Sequence, residues 1–188
     1  MKKIAVFCGA NPGIDPIYAS AAKGLAEVMA AQKMELVYGA GSVGLMGIIA
    51  DRMLELGQPV LGVITQRLMD REVGHVGITD LRIVSTMHER KMLMADLADA
   101  FIAMPGGVGT LEEIVEAITW NQLGIHQKPC GFLNIAGYYN QLLGFLDHAV
   151  AQQFLKVDHR SALCVDENPA RLIEKLKSGV GDFSPKWY

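Results

Sequence analysis

The sequence predicts an α/β fold, a single doubly wound domain with a mostly parallel sheet of about seven strands and helices on both faces. Short runs rich in Val, Ile, Leu and Phe alternate with longer segments of helical period. Most of these runs lack the in/out alternation of a half-exposed strand, as expected when helices cover both faces of a sheet. Clusters of glycine follow three of the runs directly, at the strand ends where an open parallel sheet binds its ligands.

The strand candidates are residues 3–8, 35–38, 59–64, 82–85, 100–104, 130–134 and 162–165. Between the first two, Asp15 followed by Pro16 predicts an N-cap with proline at the first helical position, where its missing N–H costs nothing. Tyr18, Ala21, Ala22, Leu25, Val28 and Met29 then form one apolar stripe. Met46, Ile49, Met53 and Leu56 repeat the pattern in the next helix, and Gly57 stands where a left-handed C-terminal residue is wanted. Met87 opens a helix after the fourth strand. A further helix, residues 111–123, has Leu111, Ile114, Val115 and Ile118 as its expected core stripe, with Glu113, Glu116 and Trp120 roughly opposite. Carboxylates sharing a face with tryptophan suggest that a ligand or a second subunit covers that side too. The reading is one domain over residues 1–178 and a C-terminal tail over 179–188.

Composition excludes several classes. At 188 residues, 51% hydrophobic and 20% charged, the chain is in the globular range, and no run of about 18 apolar residues suggests a membrane span. The first apolar run is too short for a signal-peptide core, so a cytoplasmic protein is expected. Cys8, Cys130 and Cys164 sit in or beside apolar runs without CxxC spacing and read as buried thiols in a reducing compartment. A net charge of −3 without a basic stripe argues against nucleic acid. His75, His88, His126, His148 and His159 lack HxxxH spacing or a cysteine partner, so no metal and no cofactor are expected.

The three glycine loops are Cys8-Gly9-Ala10-Asn11-Pro12-Gly13, Gly39-Ala40-Gly41-Ser42-Val43-Gly44 and Pro105-Gly106-Gly107-Val108-Gly109-Thr110. The last two run straight into helices, offering unpaired backbone N–H groups and the positive end of a dipole to a phosphate. Gly39-x-Gly41-x-x-Gly44 is formally a dinucleotide fingerprint, but it follows the second strand. The next strand ends Ile64-Thr65-Gln66, without the acidic residue that would hold a ribose. No Gly-Lys-Ser/Thr ending marks a P-loop. Upstream, Met87-His88-Glu89-Arg90-Lys91 places two cations near a helix start, against the dipole, where an anionic partner would explain them.

Pro105-Gly106-Gly107-Val108-Gly109-Thr110-Leu111-Glu112-Glu113 resembles the PGGxGTxxE motif, and Met87 to Lys91 the MHxRK motif, of the LONELY GUY (LOG) family of cytokinin riboside 5′-monophosphate phosphoribohydrolases. Bacterial members of that family were long labelled lysine decarboxylases. The resemblance extends over nearly the whole chain, through Val37-Tyr38-Gly39 and Ile118-Thr119-Trp120. It departs at Ala10-Asn11, where members commonly carry Ser-Ser, and at Ala40, where they carry Gly. What it implies is a Rossmann-like, cytoplasmic homodimer that cleaves the N-glycosidic bond of adenosine 5′-monophosphate-type nucleotides, prenylated or plain, to free base and ribose 5-phosphate. Arg90 and Glu113 would be catalytic. Glu72, Lys91, Gly106, Gly107, Val108, Gly109, Thr110 and Thr119 would bind the nucleotide, joined by Gly9 and Gly41 from the other two loops. The alternative is a non-catalytic nucleotide-binding or carrier module of the same fold.

Overall fold

The computed structural model describes residues 1–70 and 74–179. Glu72 and residues 180–188 of the expected tail lie outside them. The elements run β1 (Lys3–Phe7), α1 (Pro16–Ala31), β2 (Glu35–Tyr38), α2 (Gly44–Glu55), β3 (Val60–Thr65), α3 (Gln66–Met69), β4 (Asp80–Val84), α4 (Met87–Leu97), β5 (Ala100–Ala103), α5 (Val108–Gln122) and β6 (Cys130–Leu133). A short 3₁₀ turn (Ile135–Gly137), α6 (Asn140–Ala151), α7 (Val157–Ser161), β7 (Cys164–Asp166) and α8 (Pro169–Lys177) follow. All seven expected strands are present and every pairing is parallel. β4 begins earlier than its apolar run because its ladder to β3 starts at Asp80, opposite Leu61.

Alternate residues of one strand feed two cores. Ile4 and Val6 join Leu25, Met29, Ile49 and Met53 from α1 and α2 on one face of the sheet. Ala5 and Phe7 join Met94, Ile114 and Leu143 from α4, α5 and α6 on the other. Each fully buried aliphatic side chain contributes about 2 kcal/mol by leaving water, so both layers are needed to hold the sheet. The Asp15 side chain accepts from the Ile17 amide at 2.9 Å, and Gly57 adopts φ 71 after α2, as the sequence predicts.

The strand order is β4-β3-β2-β1-β5-β6-β7. The chain winds outward from β1 to β4, returns, and restarts at β5 on the other side of β1. That reversal is the topological switch point, where an open α/β sheet leaves a crevice at its carboxyl edge. The loops after β2, β1 and β5 are the three glycine loops, so topology brings all of them side by side.

The phase of α5 differs from expectation. Thr110, Ile114, Ala117 and Asn121 face the core, Leu111 and Ile118 are half-buried, and Val115 is exposed. The face carrying Glu113, Glu116 and Trp120 packs on α4 of the same chain, with Trp120 beside Met94 and Ala95. Thus the chain's own α4 supplies the covering that Trp120 suggested a ligand or second subunit would provide.

Candidate active site

The loops are stitched together by backbone. The Gly9 N–H donates to the Pro105 carbonyl at 3.1 Å, and the Gly9 carbonyl accepts from Leu45 N–H at the start of α2 at 3.0 Å. Around this junction lies a cleft of about 580 Å³. Gly9, Gly39, Arg90, Gly106, Gly107, Gly109, Thr110, Glu112 and Glu113 line it. Its more apolar wall comes from Leu45, Met46, Leu68 and Met87.

One rim is a row of unpaired backbone amides. α5 starts at Val108 with Gly107 as N-cap, and no side chain caps it. The N–H groups of Gly106, Gly107, Val108, Gly109 and Thr110 have no acceptor among the described residues. Unpaired amides at a helix start form the usual seat for a phosphate. Close packing requires glycine at 106, where a β-carbon would fall onto the Thr110 hydroxyl and 2.8 Å from the Gly9 nitrogen.

The charged pair joins α4 to the same helix: Arg90 comes from α4 and Glu113 from α5, three residues past Thr110. α4 is started by a capping box: Thr86 Oγ1 accepts from Glu89 N–H at 3.1 Å, and the Glu89 carboxylate accepts from Thr86 N–H at 3.2 Å. This sets Arg90 one turn in and pointing into the fold, with 8% of its side chain exposed. Its Nε donates to the Val63 carbonyl at 2.9 Å and Nη2 to the Gly39 carbonyl at 3.4 Å, while Nη1 stands 3.4 Å from Glu113 Oε1. Gly39 makes room for the guanidinium, since a β-carbon there would collide with Nη2. Burial pushes the Glu113 carboxyl above its ordinary value; Arg90 opposes the rise, and Glu112 adds to it. The result is a desolvated carboxylate held against a fixed cation in the same cleft as a row of free amides.

Several candidates fall elsewhere. Lys91 is absent from the cleft wall; its amine donates to Glu112 at 2.6 Å and Glu116 at 3.0 Å, bracing α4 against α5. The anionic partner expected for this cation is therefore internal. Burial works to lower the Lys91 pKa, but these hydrogen bonds outweigh it and leave it above the usual lysine value. Thr119 lies well along α5 from the free amides and donates to the Val115 carbonyl at 2.8 Å, outside the cleft. Gly41 is also off the cleft, bridging Gly74 and packed on Met46, and Gly39 takes its place. Val108 turns its side chain to solvent, 83% exposed, so only its amide belongs to the row. The Gly9 backbone groups are spent on Pro105 and Leu45. Cys8 lines the wall with the rest of the first glycine loop, and unanticipated wall residues include Tyr18 and Tyr138. The Tyr138-Tyr139 pair directly behind β6 was a readable signal for the last of these.

A doubly wound parallel sheet with a row of unpaired amides and a buried arginine–carboxylate pair at its switch point defines an α/β protein of Rossmann-like class. Comparison narrows the class. Residues 46–176 match the family described as "Possible lysine decarboxylase". The chain is 46% identical to a probable cytokinin riboside 5′-monophosphate phosphoribohydrolase of Oryza sativa subsp. japonica (LOGL2), over 98% of this chain and 74% of the relative. It is 47% identical to a cytokinin riboside 5′-monophosphate phosphoribohydrolase of Arabidopsis thaliana (LOG7), over 97% and 84%. The chain belongs to the LOG family.

Two solved structures share the fold. They are the molybdenum cofactor binding protein of Rippkaea orientalis (TM-score 0.71, 20% identity, 94% of this chain and 96% of that one) and the molybdenum cofactor carrier protein of Chlamydomonas reinhardtii (TM-score 0.72, 18%, 94% and 96%). The decarboxylase description would require pyridoxal phosphate on a free lysine. Among the described residues no lysine lines the cleft, and Lys91, the nearest in sequence to the pair, is held charged by two carboxylates, so these residues do not fit that cofactor.

Proposed function

We propose that this chain hydrolyses the N-glycosidic bond of adenosine 5′-monophosphate-type nucleotides, plain or N6-prenylated, releasing the base and ribose 5-phosphate. The observation that carries the reading is the Glu113 carboxylate, 3.4 Å from Arg90, on the wall of the same cleft as the unpaired amides of residues 106–110. Breaking a ribose C–N bond builds positive charge on the sugar and negative charge on the base. Glu113 stabilises the sugar cation and orients or deprotonates the attacking water. Arg90 keeps the carboxylate ionised; being permanently charged, it is not the acid that protonates the base. A carrier would gain nothing from a carboxylate whose burial costs stability. The direct test measures base and ribose 5-phosphate released from AMP and isopentenyladenosine monophosphate side by side; no product from either overturns the reading.

Since the working form of Glu113 is the carboxylate and burial raises its pKa, the acid limb of kcat/KM lies at higher pH than for an ordinary glutamate. Glu112→Gln removes a like charge and moves that limb to lower pH. A wild-type limb within the usual carboxylate range, or a limb unmoved in the variant, contradicts the assignment.

The active unit in this reading is a homodimer in the cytoplasm. α5 and its exit expose Val115, Leu123 and Ile125, at 47%, 44% and 59%, an apolar surface that a second copy would cover. The free thiols Cys8, Cys130 and Cys164 suit a reducing compartment. Light scattering is expected to give twice the 20.4 kDa of one chain, and a fully active preparation at the single-chain mass defeats the dimer.

A further inference from the structure

We infer that the Tyr138 hydroxyl is a positioning group for the anion cradle, an inference that rests on the phosphate-binding role proposed for residues 106–110. Three consecutive carbonyls of the loop are held from outside it. Met104 accepts from the Tyr139 hydroxyl at 2.6 Å, Pro105 from the Gly9 amide at 3.1 Å, and Gly106 from the Tyr138 hydroxyl at 2.7 Å. In a trans peptide the carbonyl and the following N–H point in opposite directions, so fixing the Gly106 carbonyl fixes the Gly107 amide. Both residues of that peptide are glycines, whose backbone turns easily. Space around Gly107 and Gly109 is open, with nothing within 4 Å of where a β-carbon would stand, so packing does not hold them.

The turn that delivers the two tyrosines is itself specialised. Ala136 and Gly137 have φ 49 and 71, consecutive left-handed residues, the first of which carries a side chain that disfavours this conformation. Such a turn persists only where its surroundings fix it. Here Asn134 does so, accepting from the Tyr139 amide at 2.7 Å and donating to Asn140 at 2.8 Å. Tyr139 is buried, whereas Tyr138 is 45% exposed on the cleft wall. Tyr18 braces Tyr138 edge-on, with ring centroids 5.9 Å apart. The arrangement places one phenol hydroxyl where it orders the loop before any ligand arrives, and preorganisation of this kind appears as affinity rather than as chemistry.

Tyr138→Phe keeps the ring and its packing on Tyr18 and removes the hydroxyl. The expected result, in ligand-free protein, is faster amide hydrogen exchange at Gly9 and Leu111, whose N–H groups donate to the Pro105 and Gly107 carbonyls of the loop. With it, ribose 5-phosphate binds about three- to tenfold more weakly by calorimetry, the size of one lost hydrogen bond. In turnover the same factor appears in KM for AMP with kcat changed less than about threefold, so the preference for AMP over adenosine narrows. If wild-type protein binds ribose 5-phosphate and the variant binds it equally, with unchanged exchange, the positioning role is overturned while the function stands. If wild-type protein binds no ribose 5-phosphate and releases none from AMP, the proposed function fails and this inference with it.

Discussion

Glu113→Gln is expected to lower kcat on AMP-type nucleotides by at least a hundredfold while leaving the nucleotide bound. Glutamine keeps the size of the side chain and its hydrogen-bonding reach toward Arg90 and removes only the charge. The charge is what the oxocarbenium-like transition state needs, and losing one preorganised electrostatic contact of this kind costs about 3–4 kcal/mol of barrier. The carboxylate sits in a desolvated position, which makes its field on a bound sugar stronger than the same charge in water. Folding should survive the change. Arg90 keeps the Val63 and Gly39 carbonyls as acceptors, so its guanidinium is not stranded when the ion pair goes. Calorimetric binding of AMP and a melting curve, run beside the kinetics, separate lost chemistry from lost structure. A folded variant that retains more than about a tenth of wild-type kcat, a loss under about 1.4 kcal/mol, removes Glu113 from the chemistry.

The sequence made the architecture legible because burial leaves a local trace. Strands covered on both faces must be apolar throughout, as the runs around Ile4, Leu36, Val63, Phe101 and Phe132 are, and the shorter runs around Ile83 and Val165 became the part-exposed edge strands. Their order left no such trace, since it depends on where the chain reverses. The cleft was legible for a related reason: only glycine permits the close approach of Gly106 to Thr110 and Gly9, and of Gly39 to Arg90. Interactions between elements were harder to read. Glu112 and Glu116 tie Lys91 to α5, yet no spacing within one helix shows that another helix will lie beside it. The misphased stripe of α5 has the same origin. Val115 and Ala117 are both apolar, and which of them faces the core depends on where α4 takes the charged face. Ala40 marks another limit: it holds φ 59, a conformation natural to the glycine that family members carry, and nothing in its neighbours' identities announces it.

The 5′-phosphate is expected to decide whether a nucleoside is a substrate at all. The amides of residues 106–110 have no partner among the described residues, and Gly106 to Gly109 carry no side chain pointed into the cradle, so backbone donors face an incoming anion there. Each charge-assisted hydrogen bond to a phosphate oxygen contributes about 1.5–3 kcal/mol, and two or three of them, helped by the dipole of α5, reach about 4–6 kcal/mol. Because the phosphate lies away from the bond that breaks, that energy serves to hold the ribose against Glu113, and its loss falls on kcat as well as on KM. Adenosine should therefore show a kcat/KM about a thousandfold or more below that of AMP. Initial rates of base release at matched concentrations measure the ratio, and free ribose 5-phosphate should inhibit the reaction by competing for the cradle. Values for AMP and adenosine within tenfold of each other would mean that the row of unpaired amides at the start of α5 does not hold the phosphate.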